Sequence, residues 1–437
     1  MNRFFKAAVL GISLLVLGYV GLGYLLGKTQ IERPYVALGV YSEVLRHIQD
    51  DYVEDPNLPL VTVGALHGML ESLDPHSSYL SPREYAEFKE KSAANYKGEI
   101  GVTISKRFGY VIVVSVLPDS PAAKAGLRAG DIFENIAGFS TREMSVAQAR
   151  LFLAGQPGTG VNVGVVRRGR SEPQPMDIVR AALPAPKITG EMLKDPDAPA
   201  AAQVAILRVP ALTPGKVEEV RQKLAQLEKQ GAKKLILDLR DTAAGPMAEG
   251  IALAQLFLSK GKIVTLRGQT VPAQEFSADP AKVAWAHPLT VLISNSTFGA
   301  AEIAAAAIGA NQRGRLVGER TFGAASEQKV IPLEDDAALI LTVANYYTPA
   351  GKSIPADGVA PDVEVRREAA AAFDDEEEDA PARPPQGEES PREDRILKKA
   401  IELLLAPLAA APTKDQARQN SRPLSSWRAP ARYAAPV

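Results

Sequence analysis

The sequence predicts a layered α/β core preceded by a compact β-rich module, a helical N-terminal region and one N-terminal apolar helix. Apolar strand candidates alternate with helical segments from Val204 onwards. Two β-branched runs separated by glycine turns lie between residues 95 and 184, and an uncharged run opens the chain. Alternating strands and helices are typical of a sheet covered by helices, and short β-branched runs are typical of a small β domain.

Composition narrows the function classes before any motif is considered. The 437 residues are 46% hydrophobic and 23% charged, which indicates a globular protein of two or three domains. A net charge of -1 gives no general attraction to nucleic acid, and the lack of cysteine excludes disulfides and thiolate catalysis. The four histidines have no metal-ligand spacing, so we predict neither a metal site nor a cofactor.

Residues 1–30 are predicted to be a membrane anchor or signal segment. The uncharged run Ala7–Leu26 would extend roughly 30 Å as a helix, about the thickness of a bilayer core. Arg3 and Lys6 precede it, which predicts a cytoplasmic N terminus with the rest of the chain outside that membrane. The run is long for a signal peptide and no clear cleavage site follows it, so we favour an uncleaved anchor over a cleaved signal.

The next two regions differ in their expected secondary structure. Residues 31–94 are predicted to be helical, with helix over 36–92 interrupted by a turn at Asp74-Pro75. Residues 95–184 are predicted to form the β-rich module, with strands at Val111–Leu117 and Val163–Arg168.

Residues 185–367 are predicted to form the α/β core. Strands are expected at Val204–Val209, Leu235–Leu239 and Leu289–Ile293, all of them apolar enough for a sheet buried on both faces. One helix is expected to start at Thr213-Pro214 and to end at Gly231, and an alanine-rich helix is expected over Ala300–Ala310. Residues 368–395 are acidic and proline-rich and predict a disordered linker, and residues 396–437 predict a short amphipathic helix with a loose tail.

Residues 95–184 resemble a PDZ domain of the kind found in bacterial proteases. The resemblance rests on SPAAKAGLRAGDIFENIAG at Ser120–Gly138 and on a second block, Gly98-Glu99-Ile100-Gly101-Val102, which resembles a carboxylate-binding loop. Glycines in such a loop let successive backbone N–H groups turn inward and bind a terminal carboxylate. The expected ligand is a protein C-terminal tail that adds to the sheet as an extra strand.

The layout from about residue 36 to 367 resembles the carboxy-terminal processing, or tail-specific, serine peptidases. The blocks that carry the resemblance are LDPHSSYL, LDLR, AEIAAAAI, GERTFG, YYTPAG and GVAPDVEV, in that order, with the PDZ blocks after the first. The resemblance implies a peptidase-type α/β core with an inserted PDZ domain. It also implies a serine nucleophile and a lysine general base, whose amine accepts the serine proton when burial lowers its pKa.

Both expected functional side chains are absent here. The family nucleophile position is Gly299 and the family base position is Ala324, whereas the glutamine that supports the base is retained as Gln328. In the loop that supplies oxyanion donors, Thr242 replaces asparagine and Ala244 replaces the first glycine, while Gly245 is kept. If that first glycine needs a positive φ, alanine would strain the loop or re-aim its N–H group.

Two functions of different class follow. The first is a non-catalytic binding protein, a pseudopeptidase that captures C-terminal tails. The alternative is an active serine-type endopeptidase that uses relocated residues, for which Ser296 or Thr297 would need a base nearby. Lys329 is the nearest lysine after the motif, but it should point away from Gln328 on a strand.

The resemblance also implies a place and partners. Together with the uncharged run and the preceding Arg3 and Lys6, it predicts a single-pass protein of the bacterial inner membrane, with the bulk of the chain in the periplasm. An active homologue or an adaptor is an expected partner, beside the inner membrane through residues 7–26, and oligomers are possible because members of this family often associate through their helical ends.

Overall fold

The structure is a computed structural model that describes residues 32–94, 97–107, 109–167, 172–183, 186–193, 203–366 and 394–405, with residues 11, 13 and 15–19. The chain divides into two compact units: Met1–Glu90 with Val330–Leu341, and Lys91–Lys329 with Thr342–Val437. Within the described ranges, no helix has the length and apolarity needed to cross a bilayer. Most of the predicted span at residues 7–26, and all of the acidic run, lie outside these ranges.

The first unit is helical with one short strand that the sequence analysis missed. Its elements are α1 (Glu32–Asp51), α2 (Leu58–Glu71), β1 (Ser78–Leu80) and the start of α3 (Pro82–Ala94). The Asp74 carboxylate accepts hydrogen bonds from the N–H groups of His76 and Ser77 at 2.8 and 2.9 Å. Because this turn ends the helical path, the chain continues as β1, which pairs antiparallel with residues 338–340.

The β-rich module has the strands that its sequence predicted, with small shifts at their ends. The predicted strand Val111–Leu117 is found at Tyr110–Val116, but the one predicted at Val163–Arg168 begins three residues earlier. The strand order is β3-β4-β5-β7-β8, so β3 is an outer strand. The elements are β2 (Gly98–Glu99), β3 (Val102–Arg107), β4 (Tyr110–Val116), α4 (Pro121–Lys124), β5 (Ile132–Ile136), β6 (Phe139–Ser140), α5 (Val146–Leu153), β7 (Gly160–Val166), β8 (Gln174–Val179) and β9 (Ala181–Ala182).

The α/β core is a six-stranded sheet in the order β10-β11-β12-β15-β16-β19, with its four central strands parallel to one another. Alternate residues of these strands face opposite sides, as in any β-strand. One side packs on α6, α7 and α8, and the other is covered by α10. The elements are β10 (Thr189–Met192), β11 (Val204–Arg208), α6 (Lys216–Lys229), β12 (Lys234–Asp238), α7 (Met247–Gln255), β15 (Leu289–Ile293), α8 (Ala300–Ala310), β16 (Arg315–Gly318), β19 (Val363–Glu364) and α10 (Arg395–Leu405).

Four further strands and a short helix complete the core. In this unit, residues 265–267 pair antiparallel with residues 345–347. The elements are β13 (Lys262–Arg267), β14 (Gln274–Ser277), β17 (Ser326–Pro332), β18 (Ala338–Tyr347) and the one-turn helix α9 (Ile354–Asp357). Residues 330–341, which run from β17 into β18, belong to the first unit.

The predicted start of α6 is wrong. Thr213 does not cap the helix, which begins at Lys216 after Gly215, whose φ of 86° lies in the left-handed region. The Glu249 carboxylate instead accepts hydrogen bonds from the N–H groups of Gly215 and Val217 at 3.2 and 3.4 Å. A side chain 34 residues away in sequence therefore supplies the cap, and local sequence patterns cannot show this. The predicted end of α6 at Gly231 agrees with the structure.

Candidate functional site

The two segments that correspond to the family's nucleophile and base meet around one buried carboxylate. Gly299 precedes α8, and Ala324 lies in the loop between β16 and β17. The carboxylate of Glu302 accepts hydrogen bonds from the N–H groups of Gly299 at 2.9 Å, Gly323 at 2.6 Å and Ala324 at 2.8 Å, and from the hydroxyl of Thr321. Burial raises the pKa of Glu302, and these four donors counteract that increase. Glu302 thus joins the two segments, a role that its sequence position alone did not reveal.

Gly299 has the backbone shape of a nucleophile turn but carries no side chain. Its φ of 57° and ψ of -111° occur directly before α8, at the end of the loop that follows β15. In α/β-hydrolases a strand-to-helix turn presents the nucleophile. A Cβ atom built here would lie 3.2 Å from Cε of Met247, the end of a flexible side chain. A serine would therefore fit only if the Met247 side chain shifts by a few tenths of an ångström, and it would be strained by the positive φ; Gly299 itself offers no oxygen to attack a carbonyl.

Ala324 lies in an apolar cluster that leaves no room for a solvated base. The methyl group is 4% exposed and packs with Phe298, Phe322, Ala243 and the PDZ residue Val114. The two phenylalanine rings are 5.3 Å apart between centroids. The guanidinium of Arg107, on β3, lies 4.5 Å above the Phe322 ring and extends this contact.

The retained Gln328 and the alternative hydroxyls have other partners. Gln328 donates to the Ser326 hydroxyl at 2.8 Å. Thr297 donates to the Leu239 carbonyl at 2.7 Å, so its hydroxyl proton is already committed. Lys329 is exposed on β17, and among the described residues no hydrogen bond joins an amine to Ser296 or Thr297.

The loop at Asp241–Gly245 keeps its glycine where a glycine is required. Gly245 has a φ of 130°, and a Cβ atom there would lie 1.9 Å from the Leu212 carbonyl oxygen. Ala244 is not among the described non-glycine residues with positive φ, so the strain that alanine was expected to cause there is absent. The Thr242 hydroxyl donates to the Val209 carbonyl and is buried, which gives this replacement a structural role.

The predicted carboxylate-binding loop lies at the edge strand of the PDZ sheet. Gly98 exchanges backbone hydrogen bonds with Gly155 at 3.0 and 2.9 Å. Gly101 has a φ of 87°, and a Cβ atom there would lie 2.3 Å from Cβ of Ser120. Both the backbone conformation and the available space therefore require glycine at 101. The loop leads directly into β3, whose outer edge can accept an added strand.

A cavity of about 440 Å³ joins this PDZ loop to the Asp241–Gly245 loop. A second cavity of about 450 Å³ adjoins it and shares Leu117, Pro186 and Pro210 as lining residues. On the PDZ side the first cavity is lined by Lys97, Glu99, Gly101, Val102, Thr103 and Ser115, and on the core side by residues that include Pro210, Thr213, Ala243 and Ala244.

The two sides of this cavity are also hydrogen-bonded to each other. Thr103 donates from its hydroxyl to the Ala243 carbonyl at 3.3 Å, and Ser115 donates to the Asp241 carbonyl at 3.0 Å. The structure therefore brings the predicted residues Glu99, Gly101, Val102 and Ala244 together, whereas Gly98, Ile100 and Gly245 do not line the cavity. The sequence analysis missed Thr103 and Ser115, which are partners in the antiparallel β3–β4 pair. The only sequence signal was the single serine in the otherwise largely apolar β4, since β3 carries several polar residues.

Comparisons with known proteins agree with this architecture. Peptidase family S41 matches residues 203–365 and the PDZ domain matches residues 112–167. The carboxyl-terminal-processing protease of Synechocystis sp. is 31% identical over 308 residues, covering 70% of this chain and 71% of that protein. The carboxy-terminal-processing protease of Bartonella bacilliformis is 29% identical over 341 residues, covering 77% and 76%. The solved photosystem II D1 C-terminal processing protease has a TM-score of 0.61 at 28% identity, covering 75% of this chain and 92% of that one.

Proposed function

Because the chain belongs to peptidase family S41, we propose that it is a non-catalytic member that binds protein C-terminal tails through its PDZ domain. The observation that carries the proposal is the pair of positions that correspond to nucleophile and base. Gly299 has no side chain, and the methyl group of Ala324 is packed among aromatic rings. Without an attacking oxygen and a proton acceptor, peptide hydrolysis falls by roughly 10⁶.

The cavity between the PDZ loop and the core loop is the proposed binding site. Of the predicted Gly98–Val102 segment, Gly101 and Val102 line the cavity, and their backbone N–H groups would receive the terminal carboxylate. Lys97 at the cavity wall adds a positive charge. The tail would pair with β3 and place upstream side chains against the apolar wall formed by Leu117, Pro186 and Pro210. A cavity of this size is within the usual range for ligand sites.

This proposal predicts that binding requires a free C-terminal carboxylate. A labelled peptide with an apolar C-terminal residue should bind at least about tenfold more tightly than its C-terminal amide, because hydrogen bonds to a charged group contribute about 1.5–3 kcal/mol. Fluorescence anisotropy of both peptides with the purified protein measures the difference.

A lysine-to-alanine pair tests where the tail binds. Lys97→Ala should weaken binding of the free-acid peptide. Lys124→Ala, in the same domain but away from the cavity lining, should leave that binding unchanged. Equal affinity for acid and amide would eliminate carboxylate recognition as the basis of binding.

Regulation of an active homologue is the biological role proposed for this binding. The site could hold a substrate tail without cutting it, or present the tail to an active homologue or adaptor. Family resemblance supports this step, and the absence of side-chain chemistry at Gly299 and Ala324 gives the physical reason.

Membrane anchoring through residues 7–26, with the bulk of the chain in the periplasm, is part of the same proposal. Support comes from the uncharged run and from Arg3 and Lys6 before it. The full-length protein should sediment with membranes and resist carbonate extraction, whereas a variant lacking residues 1–30 should be soluble. Mass spectrometry of the native N terminus separates an anchor from a cleaved signal. Extraction of the full-length protein by carbonate would contradict the anchor.

A further inference from the structure

The side chain of Arg240 joins the core sheet to the C-terminal helix. Its guanidinium donates to Asp238 at 2.9 and 2.7 Å and to both carboxylate oxygens of Asp394 at 2.8 Å. Burial alone would lower the pKa of Arg240, but its bonds to Asp238 and Asp394 raise it above the ordinary value. The guanidinium therefore remains charged, and a bidentate arginine–carboxylate pair fixes geometry as well as contributing energy.

Asp394 accepts hydrogen bonds both from Arg240 and from the first turn of α10. Its Oδ1 atom also accepts the N–H of Leu397 at 3.0 Å, which caps α10. The helix then covers the outer side of the sheet with Ile396, Ala400 and Leu404. At the other end of the helix, the amine of Lys234 donates to the Leu404 carbonyl at 3.1 Å.

Arg240 directly precedes the loop that lines the ligand cavity. Its carbonyl oxygen accepts the Ser294 hydroxyl, and the next carbonyl, that of Asp241, accepts the PDZ hydroxyl of Ser115 at 3.0 Å. Two residues further, Ala243 accepts from Thr103. Residues 240–243 are therefore connected both to α10, through the Arg240 side chain, and to the PDZ side of the cavity, through the Asp241 and Ala243 carbonyls.

We propose that Arg240 and Asp394 are positioning residues for the ligand cavity, so that docking of α10 holds the loop at residues 241–245 and sets the affinity for a bound tail. The affinity part of this inference rests on the proposed function. If α10 had only a structural role, removing the contact at either of its ends would affect the loop at residues 241–245 equally. If Arg240 positions that loop, only removal of the contact at the Arg240 end would affect it.

The test compares the two ends of α10 in the full-length protein. Asp394→Asn keeps a capping residue but removes the charge that binds Arg240. Lys234→Met removes the contact at the opposite end, at Leu404. We expect Asp394→Asn to weaken binding of the free-acid peptide by about fivefold or more, the scale of a coupling between sites. We expect Lys234→Met to reduce thermal stability without changing affinity, and Asp394→Glu to recover part of the loss.

Hydrogen exchange without peptide gives a second readout that does not depend on tail binding. The N–H groups of Thr242 and Phe298 bond to Leu239 and Thr242 carbonyls, so they report on this loop. Both should exchange faster in Asp394→Asn than in Lys234→Met. Equal exchange in the two variants would overturn the positioning role, even if the wild type binds tails as proposed. Faster exchange only in Asp394→Asn, in a protein that does not distinguish acid from amide, would support positioning while the proposed function fails.

Discussion

The double substitution Gly299→Ser with Ala324→Lys is expected to create peptidase activity in this protein, for which we propose none in the wild type. The wild-type protein should leave a peptide with an apolar free C terminus uncut. The double variant should cleave it at least about 10²-fold faster than the wild type, the smaller end of what a positioned base contributes. Cleavage is measured by mass spectrometry of products over time with protein purified to homogeneity.

The local geometry explains why a gain is expected and why it will be partial. Gly299 already has the turn of a nucleophile residue, and Met247 can move to admit the serine side chain. Serine at a positive φ costs about 1–3 kcal/mol. Lysine at 324 would enter the apolar cluster with Phe298, where burial lowers its pKa toward that of a general base. The same cluster must open to accept the longer side chain, which limits the rate.

The two single substitutions are the matched controls. Gly299→Ser lacks a base and Ala324→Lys lacks a nucleophile, and members of such a pair act as a unit, so neither should show measurable cleavage. A wild-type protein that cleaves the peptide, with activity that survives purification, would overturn the pseudopeptidase proposal. A folded double variant without activity would contradict the expectation that the geometry around residues 299 and 324 still supports this chemistry.

The regular core of the fold was predictable because its strands are uniformly apolar. The strand at Leu289–Ile293 and the helix at Ala300–Ala310 have the predicted bounds. The starts of β1 and α6 were not predictable, since each depends on side-chain acceptors. Asp74 turns the chain before β1, and Glu249 caps α6 from a distant part of the sequence.

The candidate site was predictable in its identities but not in its contacts. Motif order pointed to Gly299, Ala324 and Gly101, and it could show which side chains are missing. It could not show that the PDZ residue Val114 belongs to the same apolar cluster as Ala324, because the two residues are about 200 positions apart in sequence. The conformation of Ala244 was equally inaccessible, since φ depends on the bonds that the loop makes with the rest of the core.

Glu302→Ala is expected to cause the largest loss of stability among the substitutions considered. It removes the single acceptor shared by the N–H groups of Gly299, Gly323 and Ala324 and by the Thr321 hydroxyl. Each buried donor left without a partner costs about 1–3 kcal/mol. Because the four losses are not additive and water can enter the space, we expect the free energy of unfolding to fall by about 3–5 kcal/mol. Urea unfolding followed by circular dichroism measures this change.

Glu302→Gln removes the charge of this side chain but keeps its size and shape. An amide retains one oxygen, which can accept from the Gly299 and Ala324 N–H groups. Its NH₂ group then faces the Gly323 N–H and the Thr321 hydroxyl, so the substitution should destabilise the protein, by less than alanine does. Glu334→Gln, at an exposed glutamate, is the matched control and should change stability little. If Glu302→Gln were as stable as the wild type, the carboxylate would not be what holds the Gly299 turn to the Ala324 loop. The apolar cluster of Phe298, Phe322 and Ala324 would then have to account for that contact alone.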